Sequence, residues 1–396
     1  MAVASWTPQV FAPYASCPQV VFARVAARSP QFDAVCAAGD RPILVGSSAG
    51  HDPERVAASA RGELLERMGN VLAGRAAEAD AAVVATHKEL RRKGIPAVDP
   101  AGLTADGGAA ALDDVREARR LWVLGRSLRT GAEVHVPAGA VFLHHRAPTG
   151  CDPGPGAGST GIAAHPDPEA ATQHAAWEVL ERDLIRGSWY GLLPGPDVMA
   201  STGLPEPLSQ LLDGTGTEAT GLDLPAPAGA RCVAVALHAA DGTRQTFGAR
   251  CGPDTGDVDT LAEKAAYEAL MVRWSMNTAV VKDTWARWRG EDPPDSAVKH
   301  ALWTYHRQDS LRLWTSRAPR SGVRREPAAG APHRSGTDAL AEHTGGDLVV
   351  VDTTSGQPAS LGWTVVRVVA PGARALPTGP NGEPGPAAGP GPHPLG

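Results

Sequence analysis

The chain has 396 residues, a net charge of −6, 45 Gly, 35 Pro and five Cys. That length allows a large buried core, in one large domain or two to three small ones. The acidic balance, with no basic tract interleaved with aromatics, argues against generic nucleic-acid binding. An odd cysteine count without CxxC points to neither a disulfide framework nor a zinc site, and reduced cytoplasmic thiols are the simplest reading. The N-terminus lacks a charged segment followed by an apolar core, and no run of 18 apolar residues occurs, so a cytoplasmic chain without a membrane span is expected.

In chain order, Pro42 to Val45 reads as a short strand feeding the Gly-rich turn GSSAGHD, with a helix from Asp52 continuing to about Leu90. Trp122 to Leu124 and Val134 to Val136 read as strands around the turn at Arg129 to Gly131, and Ala140 to His144 as a third. A second Gly-rich turn, GSTGIAAHPD, precedes a helix from Asp167 that ends by Leu193-Pro194-Gly195. Val233 to Leu237 and Arg244 to Phe247 flank a hairpin at Asp241-Gly242, and a third helix starts at Asp257 after GARCGPDTGD. Residues 285 to 345 look basic and loop-rich, with a mobile loop expected from Arg317 to Gly336. Trp177, Trp189, Trp274, Trp285, Trp288 and Trp303 cluster around these helices, where a core role is the simplest reading.

The three helix starts are one motif written three times. Asp52, Asp167 and Asp257 are each followed by Ala eight positions on (Ala60, Ala175, Ala265) and Glu eleven positions on (Glu63, Glu178, Glu268). Asp is a preferred N-cap, and Asp-Pro-Glu in two copies adds Pro at the first helical position. Eleven steps of about 100° return the Glu to the face of the cap, so three helices aim a carboxylate at something shared. In two copies the Glu is doubled at i and i+3, as Glu63 with Glu66 and Glu178 with Glu181, and Arg67 or Arg182 follows at once. Four acids in small-residue surroundings repel one another unless a cation joins them. Hard oxygen ligands of this kind suit Mg²⁺ shared with substrate phosphates, and the arginines suit phosphate oxygens.

Three other patterns carry less. Gly46-Ser47-Ser48-Ala49-Gly50 matches GxSxG, but too little chain precedes it for the strands of a hydrolase. Gly156 to Gly161 matches GxGxxG without a preceding strand. His51, His144, His145, His165 and His174 lack HExxH spacing and read as surface or satisfied polar positions.

The segments Ser59 to Arg67, Ser159 to Asp183 and Ala262 to Arg273 resemble the three nucleotide-binding motifs of the YcaO superfamily, ATP-dependent enzymes that activate backbone amides of peptides. Leu121 to Ala138 resembles the segment between the first two motifs, and Val365 to Gly372 the strand and turn before the tail. The resemblance implies an α/β fold of the YcaO type, with pseudo-repeated strand, turn and helix units around an ATP and Mg²⁺ site. It implies that Glu63, Glu66, Glu178 and Glu181 hold Mg²⁺, and that Ser59, Arg67, Ser159, Arg182 and Arg273 contact nucleotide. The chain departs from the pattern at Thr160, where relatives have Asn, and at Met271, where they have Gln.

The last seven residues, with Pro390, Pro392 and Pro394, resemble the C-terminal PxPxP of the azoline-forming branch, although a Pro- and Gly-rich chain can produce the pattern by composition. On that resemblance the terminal carboxylate of Gly396 would serve as general base. Expected boundaries are an N-terminal segment over 1–39, an ATP-binding catalytic unit over 40–372 and a tail over 373–396. The implied activity is ATP-dependent formation of thiazoline or oxazoline rings from Cys, Ser or Thr of a ribosomally made precursor peptide. Thioamide or macrocyclic amidine formation, and a non-catalytic peptide-binding scaffold, are the alternatives. No fused leader-binding module is recognised, so a separate E1-like, leader-binding partner is implied. A dehydrogenase partner and a homodimer remain open.

Overall fold

The computed structural model describes residues 6–29, 32, 43–104, 109–154, 158–255, 257–317, 334–377 and 391–395. Three antiparallel sheets are built from β1 (Gln9–Phe11), β2 (Val21–Arg28), β3 (Ile43–Gly50), β4 (Val83–Ala85), β5 (Arg120–Ser127), β6 (Glu133–Pro137), β7 (Ile162–His165), β8 (Asp197–Val198), β9 (Thr217–Leu224), β10 (Ala230–Ala239), β11 (Thr246–Pro253), β12 (Val349–Asp352) and β13 (Thr364–Val369). The first sheet is β1-β2-β3. The second runs β4-β5-β12-β13-β7 with β6 paired to β5, and the third runs β11-β10-β9-β8. The helices are α1 (Pro53–Asp80), α2 (His87–Arg92), α3 (Ala109–Glu117), α4 (Pro168–Trp189), α5 (Glu206–Thr215), α6 (Val258–Ser275), α7 (Ala279–Trp288), α8 (Ala297–His306), α9 (Ser310–Thr315), α10 (Gly336–Thr344) and α11 (Gly356–Ser360).

The three repeated helices close a ring. Helix α1 packs on β2 and β3 of the first sheet and on β7 and β13 of the second; α4 packs on β7 and β13 and on β11 of the third; α6 packs on β10 and β11 and returns to β3. Each helix is thus wedged between two sheets and buries apolar residues on two sides, such as Leu64 and Met68 beside Ile162 and Val365, or Leu180 and Leu184 beside Phe247 and Val366. Small side chains let helix and strand approach. A Cβ on Gly46 would lie 2.0 Å from the Ala60 carbonyl oxygen, and one on Gly248 would lie 2.2 Å from that of Ala265. In the first and third repeats the Ala therefore marks where a helix backbone lies against a strand glycine, a contact with no room for a larger residue.

The three caps form as the sequence predicts. Asp52 accepts from the amides of Glu54 and Arg55, Asp167 from Glu169 and Asp257 from Thr260. Several expectations are corrected, beginning with two of the Gly-rich turns: GSSAG lies within β3 and GARCGP within β11. The first helix stops at Asp80 rather than Leu90, because Ala81 turns left-handed at φ 45° and Val83–Ala85 leaves to pair with β5. A new helix, α2, then begins at a capping box of Thr86 and Glu89. The segment from Ala140 to His144 is no strand; it ends a short 3₁₀ turn over Ala138–Ala140. Residues 285 to 345 hold more helix than expected, in α7 to α10, and most of the expected mobile loop lies outside the described residues. No helix among the described residues is long and apolar enough to cross a membrane.

Candidate functional site

The same hydrogen bond recurs in all three repeats. Glu63 accepts from the amide of Ser47 at 2.5 Å, Glu178 from that of Gly161 at 3.0 Å and Glu268 from that of Ala249 at 3.0 Å. Each Glu thus takes an N–H from the strand or turn that feeds its own helix, and this fixes all three carboxylates facing the middle of the ring. The doubled residues add links between repeats. Glu181, 1% exposed, accepts from the amide of Cys251 on β11 at 2.8 Å.

Arginines interleave with these acids. Arg67 pairs with Glu63 and donates to the Val45 carbonyl. Arg182 lies 3.5 Å from Glu181 and 3.4 Å from Glu268, so it joins the second repeat to the third. Arg367, on β13, was not marked by sequence reasoning. Its buried guanidinium donates to the Gly158 carbonyl at 2.7 Å, carries an Nε atom with no hydrogen-bond partner among the described residues, and interacts with both Glu66 and Glu178. The signal that could have found it is a lone Arg flanked by two valines on each side in a buried strand, a charge that needs an acid opposite. Arg250, exposed on β11 beside the two carboxylate-bound amides, was also missed; its charge reaches Glu178 and Glu181.

Burial sets the electrostatics. It raises the pKa of Glu66 well above the ordinary carboxylate value, reinforced by Glu178 and Glu63. It raises Glu181 to about 7 against the opposing pull of Arg182 and Arg250. Glu178 and Glu63 are raised by burial too, with Arg182 and Arg67 respectively resisting. Burial opposes the charge on Arg182, yet Glu181, Glu268 and Glu178 together hold its pKa above the usual guanidinium value. Arg367 falls to about 10 because burial outweighs Glu178 and Glu66.

These side chains suit Mg²⁺ and a polyphosphate. Buried carboxylates pushed towards protonation are hard donors short of positive charge, and Mg²⁺ usually takes one or two carboxylates together with substrate phosphates and water. Among the described residues, no three His, Cys, Asp or Glu side chains are grouped so as to hold a metal ion, and Glu63, Glu178 and Glu181 accept from backbone amides.

The other expected site residues are placed as follows. Ser59 is exposed on α1, one turn before Glu63, and Ser159 is half-buried just before β7. Thr160 lines a cavity of about 110 Å³ with Gly158, Val179 and Arg367, and Met271 packs against the core around α6. Arg273 stands apart from the acids. It donates to the Arg244 carbonyl at 2.6 Å, and its charged neighbours are Tyr305, Tyr14 and Arg244. Glu268, on the same helix, pairs with Arg182 instead. Pro392 and Pro394 belong to a docked terminal segment, while Pro390 and Gly396 lie outside the described residues. Three of the five histidines set aside in the sequence have ordinary polar partners: His51 meets Tyr267 and Glu263, His145 meets Glu78, and His165 accepts from Asp167. Trp189 and Trp314 are fully buried, edge to face at 5.7 Å.

The profile described as YcaO cyclodehydratase, ATP- and Mg²⁺-binding, matches residues 47–374. No curated protein matches the chain. Among solved structures, a heterocyclase in complex with substrate and cofactor is similar at 20% identity and a TM-score of 0.65, over 94% of this chain and 50% of that one. The chain thus spans about half the length of that relative. YcaO from Methanopyrus kandleri, bound with AMPPCP and Mg²⁺, is similar at 19% identity and a TM-score of 0.57, over 92% of this chain and 85% of that one. The E. coli microcin synthetase McbBCD complex is similar at 12% identity and a TM-score of 0.61, over 94% and 89% of the two chains. With its profile matched across most of its length and its three capped helices ringed around an acidic centre, the chain belongs to the YcaO family of ATP- and Mg²⁺-binding cyclodehydratases.

Proposed function

We propose that this chain forms thiazoline or oxazoline rings in a ribosomally synthesised precursor peptide. A Cys, Ser or Thr side chain attacks the preceding amide carbonyl, the amide oxygen departs as phosphate, and the peptide loses one water per ring. Bound ATP and Mg²⁺ supply the phosphoryl group that makes this oxygen a leaving group, and the charge screening that its transfer needs. The observation that carries the reading is the acidic centre of Glu63, Glu66, Glu178, Glu181 and Glu268, interleaved with Arg67, Arg182 and Arg367.

In this reading Glu63, Glu66, Glu178 and Glu181 hold Mg²⁺. Arg67, Arg182 and Arg273 hold phosphates, with Ser59 and Ser159 beside the nucleotide. The amide bonds to Ser47, Gly161 and Cys251 keep the carboxylates oriented before ligand arrives, which lowers the reorganisation that binding costs. Pro390, Pro392 and Pro394 guide the terminus, and the Gly396 carboxylate takes the proton of the attacking thiol or hydroxyl. Residues 40–372 form the catalytic unit, between an N-terminal segment and the tail. Precursor delivery falls to a separate E1-like partner in the cytoplasm. The E. coli microcin synthetase, a multi-protein complex that has also been solved with pro-MccB17 bound, supports the expectation of partners and a peptide substrate.

Glu178→Gln and Glu63→Gln test the reading, since Gln keeps the helix and removes a charged ligand. ATP hydrolysis and ring formation, read as loss of one water mass per ring, should be abolished while the fold melts as in wild type. Phosphate release near the wild-type rate would overturn the metal assignment. A gain of sulfur in place of water loss would move the reading to thioamide formation. No saturable, Mg²⁺-dependent ATP binding would leave a non-catalytic scaffold.

A further inference from the structure

The terminal residues are threaded into the body of the protein. Leu395 is 2% exposed and joins the core that holds Trp189 and Trp314. Three consecutive carbonyls of this segment meet three side chains. Gly391 accepts from the Trp189 indole at 2.8 Å, Pro392 from the Gln308 amide at 3.0 Å, and His393 from Nδ1 of His300 at 3.2 Å. His393 donates from Nε2 to the Pro377 carbonyl at 2.7 Å, and its ring stacks on that of His300 at 3.9 Å and 13°.

The chemistry of the segment matches this slot. Prolines at alternate positions carry no N–H, so burying the strand strands no donors at those residues. The carbonyls of Gly391, Pro392 and His393 are acceptors, and the slot supplies donors to them. Gln308 is itself held, accepting from the Trp303 indole at 3.1 Å and donating to Ser310 at 2.9 Å. At Gly391 φ is +107°, a left-handed conformation that favours glycine, and an added Cβ would lie 3.0 Å from the side-chain Oε1 of Gln308. Trp189 ends α4, the helix that carries Glu178 and Glu181, and the Arg182 charge reaches His393.

We propose that Trp189, His300 and Gln308 form a receptor for the C-terminal strap 391–395 and act as positioning residues for ring formation. They recognise the strap by its carbonyls and by the His393 ring, and so set where the chain terminus lies relative to the reacting amide. The positioning role rests on the catalytic reading of the tail given above; the receptor itself does not.

The test uses the full chain and two variants, one from each side of the contact. His393→Ala alters only the strap, and Gln308→Ala removes one donor from the receptor. The first measurement, made without precursor, is carboxypeptidase trimming of the terminus followed by mass spectrometry. Both variants should be trimmed about tenfold faster than wild type or more, as expected for losing a buried hydrogen bond or ring contact. The second is ring formation, where kcat should fall by about tenfold while KM for ATP stays within about twofold. Trimming as slow as wild type in both variants would overturn the receptor. Faster trimming with unchanged kcat would overturn the positioning role. Absence of ring formation in the wild type would count against the proposed reaction, while trimming would still decide the receptor.

Discussion

Glu181, on the second repeated helix, accepts the amide hydrogen of Cys251, on the strand that feeds the third, at 2.8 Å. One carboxylate thus serves as a structural acceptor between repeats and as a candidate metal ligand. The two roles separate by substitution. Glu181→Ala leaves a buried N–H without its acceptor and should cost about 1–3 kcal/mol. Glu181→Gln keeps an acceptor and removes a charge that repels Glu268 and Glu178, so its melting temperature without Mg²⁺ should equal or exceed wild type while ATP turnover collapses. Equal stability of the two variants would show that the bond to Cys251 contributes nothing.

Arg367 supplies the positive charge between Glu66 and Glu178. Arg367→Met should destabilise the protein, since it removes a buried positive charge that favours the ionised forms of Glu66 and Glu178. Mg²⁺ with a non-hydrolysable ATP analogue should restore part of the loss by adding charge to the same acids. Thermal melts with and without that ligand check both statements, and a variant that melts like wild type would remove Arg367 from the acidic centre.

The helix–strand contacts predict opposite outcomes for two glycine substitutions. Gly248→Ala places a methyl 2.2 Å from the Ala265 carbonyl oxygen, and the backbones must separate. It should destabilise by about 1–3 kcal/mol or more. Gly62→Ala, in the interior of α1, meets nothing nearer than Trp363 at 3.5 Å and should stabilise by about 0.5–1 kcal/mol. Chemical denaturation measures both.

The strap should loosen in acid. Burial lowers His300 to about 4, although the His393 carbonyl and Asp295 favour its proton, and burial lowers His393 well below its ordinary value with His300 and Arg182 adding to the effect. Both rings are therefore neutral when docked, whereas a released ring takes up a proton near pH 6.5. Docking is fully favoured above that value and loses up to about 1.4 kcal/mol per pH unit for each ring as pH falls below it. Trimming of the wild-type terminus, corrected with a free tail peptide at each pH, should be faster at pH 5.5 than at 7.5, and the difference should shrink in His393→Ala. A corrected rate that does not change with pH would exclude the two rings as the clasp.

The sequence determined the parts of this protein that close within a few residues. Asp52, Asp167 and Asp257 cap their helices because an N-cap needs only two or three following amides, and the spacing to Glu63, Glu178 and Glu268 follows from helical geometry alone. The hairpin of β10 and β11 was legible for the same reason. The end of α1 was not, because its Ala-rich continuation favours helix while Val83 to Ala85 is drawn off by β5, a strand whose pairing has no local signature. Only the tertiary structure decided that the three helices wedge between three antiparallel sheets into a ring, since pairings such as Ile162 with Arg367 join strands two hundred residues apart. The same long-range closure brought the Arg367 charge to Glu66 and Glu178, paired Glu268 with Arg182, and laid His393 on His300. Local hydrogen bonds are written in neighbouring residues; which charges meet is written in how the sheets close.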